Sequence, residues 1–261
     1  MPHPVLLSLL ISVIVNAAFF AYAAIRRTDV VTDLSYSLSF ALVTLATALL
    51  RSAGNFYALL LSGMIVVWAL RLGSYLFTRI IRVKVDHRFD GMRDDPLKFA
   101  RFWILQAVTV TVVLTPVSIA LASELSAAAD NAPGALSWLG FFLWGCGLLI
   151  EALADAQKSS HKRKGIQGFI RTGLWAWSRH PNYFGEALAW TGVYVYCLPS
   201  LGSASIPALI SPLGISALLL FVSGVPLLEK AADAKYADQE EYEDYKRSTS
   251  IFVPLPPRKP R

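Results

Sequence analysis

Seven long apolar runs, separated by short clusters of charge and turn-forming residues, divide this chain at residues 5–25, 34–51, 56–80, 100–122, 135–157, 183–199 and 204–227. Each lies near the ~20 residues that a helix needs to cross the hydrocarbon of a bilayer. No strand pattern interrupts them, so the chain is predicted to be an all-α, polytopic transmembrane bundle of about seven helices. The first run closes on Ala21-Tyr22-Ala23, which looks like a leader-peptide cleavage site. No Lys or Arg precedes it and Arg26-Arg27 follow, so it is expected to stay as a helix with its N-terminus outside.

Charge placement agrees with that count. Arg26 and Arg27 follow the first run, and Arg82, Lys84, Arg88, Arg93 and Lys98 lie between the third and fourth. Lys158, Lys162, Arg163, Lys164, Arg171 and Arg179 lie between the fifth and sixth. The polar tail, residues 228–261, carries Lys230, Lys235, Lys246, Arg247, Arg258, Lys259 and Arg261. The opposite side offers Arg51, then residues 123–134 with Glu124 and Asp130 but no base, then a connection without charge. Because Lys and Arg favour cytoplasmic loops, all the basic clusters and the C-terminus are expected on that side. The 261 residues are 55% hydrophobic and 16% charged, with a mean hydropathy of +0.49. That composition reads as one integral membrane domain over residues 1–261. The net charge of +6 would suit nucleic acid in a soluble protein. Here the bases sit in short loops, so a lipid bilayer and no nucleic acid is the expected partner. Cys146 and Cys197 fall inside apolar runs and read as small buried side chains.

Ionisable groups inside apolar runs are costly unless paired or wetted, and so mark candidate chemistry. The third run holds Arg71, Tyr75, Arg79 and Arg82, whose spacing puts them on one helical face. The fifth ends in Glu151, Asp155, Gln157 and Lys158, followed by His161 and the basic residues 162–164. The sixth follows Arg179-His180 and holds Asn182, Tyr183 and Glu186 in its first turns, with Pro181 suited to open the helix. Snorkelling bases, a structural ion pair between Arg71 and Glu151, and a basic loop touching lipid are the plain alternatives. The carboxylates argue for more, since acids gain nothing from an inside-positive loop. Guanidinium and ammonium groups suit phosphates. Asp155, Asn182 and Glu186 suit hydroxyls or amides, and Trp175, Trp177, Tyr183 and Trp190 suit flat rings. A nucleotide cofactor from the cytosol and a lipophilic small-molecule substrate from the bilayer meet these needs. The catalytic region is expected over residues 151–247. There is no dinucleotide fingerprint after a strand, no phosphate-binding loop, no nucleophile elbow and no metal-ligand spacing, so no metal is expected.

Gly173-Leu174-Trp175 followed by Ser178-Arg179-His180-Pro181-Asn182-Tyr183-Phe184-Gly185-Glu186 resembles the signature of the steroid 5-alpha-reductase-like membrane proteins. It is closer still to their bacterial branch, long catalogued as a domain of unknown function. The likeness runs from about Asp29 into the Pro-rich tail and takes in Asp155 with Gln157 and Gly224-Val225-Pro226-x-x-Glu229-Lys230. The resemblance implies a seven-helix bundle in a bacterial inner membrane that binds NADPH from the cytoplasmic side. It implies reduction of a carbon–carbon double bond conjugated to a carbonyl in a steroid-like or isoprenoid-like substrate. Asn182 and Glu186 match positions that hold the nicotinamide end, and Asp155 matches an acid that contacts the cofactor. Arg71, Arg79 and Arg82 fall in register with cofactor-binding bases; Lys158, Arg171, Arg179, His180 and Tyr183 complete the cofactor set. Glu186 also stands among the expected catalytic residues.

The chain departs from the reductases proper. They carry a Gln-Glu pair near the second helix and a Tyr on the third that polarises the substrate carbonyl. No such pair occurs here, and Trp68 stands at the Tyr position. Tyr36 with Asp33 is the expected substitute as proton donor, set against an interfacial Tyr and a helix-capping Asp. The Arg-His-Pro-x-Tyr core also resembles membrane methyltransferases that use S-adenosylmethionine on isoprenylcysteine carboxylates or phospholipids. Those carry paired acids in the tail, where this chain has Glu229-Lys230. A reductase is the expected activity, with the methyltransferase and a non-enzymatic membrane protein as alternatives.

Overall fold

A computed structural model of the chain describes residues 3–52, 54–83, 89–127 and 132–258. Lys84, Arg88, Asp130, Lys259 and Arg261, counted above in the charge pattern, lie outside them. The described residues form helices and loops with no strand, and six helices are long and apolar enough to cross a membrane. The chain divides into two compact units, Met1–Leu139 with Val193–Ser211, and Gly140–Gly192 with Pro212–Arg261.

The first unit holds α1 (Pro4–Arg26), α2 (Thr32–Arg51), α3 (Phe56–Val83) and α4 (Pro96–Val113). Local chemistry sets their limits. His3 caps α1 through its ring and Pro4 fills the first turn, where a missing N–H is harmless. Asp95 accepts the Leu97 and Lys98 amides at the start of α4. The fourth apolar run, drawn above over 100–122, breaks at Leu114 into α4 and α5 (Thr115–Leu121). Pro116 is the reason: it has no N–H to give and its ring would clash with the carbonyl one turn back. A short α6 (Glu124–Ala127) follows.

Here α2 packs on α1 and α3, and α1 on α4. The contact is threaded by buried polar side chains. Gln106 Nε2 on α4 donates to Asn16 Oδ1 of α1 at 2.7 Å and to Ser35 Oγ of α2 at 2.8 Å. Asn16 Nδ2 donates to Ser39 Oγ at 3.2 Å, and Ser8 shares a 2.6 Å bond with Ser118 of α5. Lipid removes the hydrophobic drive between helices, so such bonds and small side chains carry the association.

The second unit takes residues 140–163 of α7 (Ala135–Arg163) and residues 181–192 of α8 (Pro181–Leu201); the remainder of each helix belongs to the first. Helix α8 is the sixth apolar run and starts at the expected Pro181, but it is not among the six most apolar helices. Asn182, Glu186 and Pro199 dilute it. Past a 3₁₀ turn (Gly202–Ala204) and α9 (Ser205–Ala208), both of the first unit, the last apolar stretch is α10 (Ile210–Ala217), a π turn (Leu218–Val222) and α11 (Val225–Tyr236). Helix α12 (Glu240–Ser248) and a segment of bends and irregular chain end the described residues. Neither cysteine is in a disulfide; Cys197 is buried and Cys146 half-buried.

Candidate functional site

Three glycines set the site. A Cβ on Gly147 of α7 would lie 2.3 Å from the Ala189 nitrogen. One on Gly185 of α8 would lie 2.6 Å from the Glu151 nitrogen, and one on Gly192 would lie 2.3 Å from the Trp144 nitrogen. The two backbones are in contact, the arrangement that small residues permit between membrane helices. Gly145, on the same helix as Gly147, faces open space. The crossing carries the acids of α7 to the polar start of α8. Asn182 Nδ2 donates to Asp155 Oδ1 at 3.3 Å. Glu151, Asp155 and Glu186 are all buried. Asn182 Oδ1 is buried and has no hydrogen-bond partner among the described residues.

The loop ahead of α8 is tied back onto α7. Gly173 takes a positive φ of +63°, and a Cβ there would lie 2.6 Å from Gln157 Oε1. That oxygen accepts the Leu174 amide at 3.0 Å, while Trp175 Nε1 donates to the Ala154 carbonyl at 3.1 Å. The Lys158 ammonium stands 5.1 Å over the Trp175 ring. Gly-Leu-Trp is thus a docking sequence: a glycine for the turn and close approach, an amide for Gln157, and an indole for the α7 carbonyl.

Glu229 of α11 joins the next two residues. Its Oε2 accepts Arg179 Nη1 at 2.6 Å, and its Oε1 meets His180 Nε2 at 2.7 Å. These side chains are 13% (Arg179), 5% (His180) and 19% (Glu229) exposed, little enough to make both bonds strong. The His180 ring stacks on Tyr183 at 5.7 Å and 8°. Burial lowers the His180 pKa from its ordinary 6.5, against the opposing pull of Glu229. In the neutral ring the proton belongs on Nε2, facing the carboxylate, which leaves Nδ1 an acceptor. Nδ1 and Arg179 Nε are both buried with no hydrogen-bond partner among the described residues.

The lowered His180 pKa predicts a pH dependence. Just below 6.5 the unfolded chain binds a proton that the folded chain refuses, so stability falls as pH drops through that window. The melting temperature of the wild type is expected to fall between about pH 7.5 and about pH 5.5, and that of His180→Gln to fall less. Equal losses in both proteins would clear His180 of responsibility.

Several other residues expected at the site have partners. Arg171 of the second unit pairs with Glu241 at 3.0 Å near solvent. In the first unit Arg79 donates to Asp33 at 3.2 Å, and the Arg71 guanidinium lies 5.7 Å from the Tyr75 ring, as their shared face predicts. Arg82 is exposed at the end of α3. Tyr36 rests edge-on against Phe40, which rests edge-on against the buried Trp68. Asp33 thus has Arg79 as a partner.

Glu229, Gly185 and Gln157 were quoted within motifs but given no role. The signal for Glu229 was its place next to Gly-Val-Pro, an acid at the edge of an apolar run.

Residues 19–249 match the model of a family described as "Protein of unknown function (DUF1295)". An uncharacterized protein of Schizosaccharomyces pombe is 27% identical over 164 residues, which is 54% of this chain and 45% of that protein. The chain thus matches less than half the length of this curated relative. No solved structure matches.

Proposed function

The chain belongs to the DUF1295 family, and from that membership and the geometry around Asn182 we propose that it is a membrane-embedded, NADPH-dependent reductase. The bond reduced is a carbon–carbon double bond conjugated to a carbonyl in a lipophilic, steroid-like or isoprenoid-like substrate. The signature from Gly173 to Glu186, as in the steroid 5-alpha-reductase-like proteins, supports the class of reaction.

The observation that carries the reading is the buried, unpartnered Asn182 Oδ1 beside Asp155, on the helix that also bears the buried Glu186. A buried acceptor left without a donor costs about 1–3 kcal/mol. A carboxamide N–H₂ such as that of nicotinamide is the donor this set fits, with a carboxylate near enough for its second hydrogen. When bound, NADPH supplies a hydride to the β carbon, and a proton completes the reduction at the α carbon. Asn182, Asp155 and Glu186 would orient the nicotinamide end. Lys158 and Arg179 would meet phosphate oxygens, Arg179 through the Nε that Glu229 leaves over. Arg171 would have to exchange Glu241 for phosphate. The site would face the cytoplasm, where the basic loops belong.

The test is a thermal-shift comparison on the full chain in detergent. NADPH at about a hundred times its Kd should stabilise by roughly 2.7 kcal/mol. Asn182→Ala and Glu186→Gln should each weaken that binding by about tenfold. Stabilisation by S-adenosylmethionine instead would favour the methyltransferase, and none by either ligand would leave a non-enzymatic membrane protein.

A further inference from the structure

Beyond α12 the chain leaves the helix and runs, with bends, along the loop that carries Arg179. The Arg179 amide donates to the Ser250 carbonyl at 2.8 Å, and Leu255 N–H donates to the Trp177 carbonyl at 3.0 Å. Ser178 Oγ donates to the Phe252 carbonyl at 2.7 Å and accepts the His180 amide at 3.1 Å. Ser178 and Ser250 form a parallel bridge, and the Phe252 ring meets Phe184 at 5.8 Å. One side of the segment is thus spent on the motif.

Its other side has no such work. Ile251, Val253 and Leu255 are 42%, 47% and 48% exposed, while Ser250, Phe252 and Pro254 between them are half-buried. Every second side chain thus lies on the outward side. Trp177, bonded to the segment through its carbonyl, is 47% exposed as well. The exposed row is wholly apolar, and Pro254, Pro256 and Pro257 hold the backbone extended around it. Arg258 follows directly, with Lys259 and Arg261 beyond it in sequence. Large apolar side chains and a tryptophan, with bases just beyond, are what the boundary between headgroups and acyl chains selects. The bases select an anionic leaflet.

We propose that residues 249–255 form an interfacial strap. Ile251, Val253, Leu255 and Trp177 rest in the headgroup boundary of an anionic membrane leaflet, and the opposite side of the strap holds the loop bearing Arg179 and His180. The lipid surface is then part of what keeps those two side chains on Glu229. This stands on the strap's own geometry and is independent of which cofactor the motif binds.

Full-length protein in nanodiscs of phosphatidylcholine and phosphatidylglycerol tests it. In a Cys146→Ala, Cys197→Ala background, single nitroxides are placed through Ile251→Cys, Val253→Cys, Leu255→Cys or Arg258→Cys. Oxygen, which concentrates in lipid, should relax the labels at 251, 253 and 255 at least about threefold more than a water-soluble nickel chelate does, with the reverse at 258. Nickel-dominated relaxation at all three overturns the proposal. So does dipolar broadening between copies, which would give the face to a second chain. With the cysteines left in place, the combined variant Ile251→Ser, Val253→Ser, Leu255→Ser should speed amide exchange at Arg179 and Leu255 by about tenfold or more. Unchanged exchange there refutes the hold on the loop.

Discussion

Gly185→Ala is expected to give a protein that folds poorly and binds no ligand at the motif. The new Cβ would stand 2.6 Å from the Glu151 nitrogen and 2.7 Å from the Gly147 carbonyl oxygen. Both are helix backbone, so no side chain can swing aside. The axes of α7 and α8 must part, and Asn182 then leaves Asp155. Overpacking of this kind costs roughly 1–3 kcal/mol where side chains can yield, and more where they cannot. Gly145→Ala on the same α7 is the control: its Cβ meets open space, and the exchange should be neutral or stabilise by up to about 1 kcal/mol through helix propensity. Melting temperature and the monodisperse fraction in detergent read the contrast. If the two variants melt alike, the glycine crossing does not hold the site.

The second large effect belongs to Glu229→Leu. It strands Arg179 and His180, which are 13% and 5% exposed, with their bonds to Glu229 gone. Breaking a buried pair from one side costs roughly 3–5 kcal/mol, because the remaining charge has lost its partner. Glu229→Gln should cost less, since an amide oxygen still accepts from Arg179. The double variant Arg179→Met with Glu229→Leu should recover much of the loss, because apolar replacement of both partners is often close to neutral. Strict additivity of the two single losses would mean that the residues do not act as a pair.

Much of this was legible in the chain. The apolar runs gave the long helices because a period of ~20 apolar residues has no other use in a bilayer. Pro181 gave the start of α8, and the spacing of Arg71 and Tyr75 gave their contact. Composition could not show where Pro116 would break a run, since the run remains apolar across the break. The site was legible as a motif but not as a construction. Gly185 stands in the motif, but nothing along the chain shows its close approach to Glu151. Glu229 lies some fifty residues from Arg179, and no periodicity links a carboxylate to a guanidinium across that separation. The bond from Arg79 to Asp33 joins residues far apart along the chain, and no local pattern shows it.

The polar thread through α1, α2 and α4 bears on how the protein is made. Asn16 and Gln106 are fully sheltered, and they answer each other. During synthesis the first helix reaches the bilayer long before the fourth, with an amide that lipid cannot satisfy. The Ser12 carbonyl of the same helix and Ser39 on the second take the hydrogens of that amide; its oxygen waits for Gln106. The opening helices are therefore best served by lingering together at the insertion machinery until the fourth arrives, and a chain stalled before Gln106 would present quality control with an exposed carboxamide.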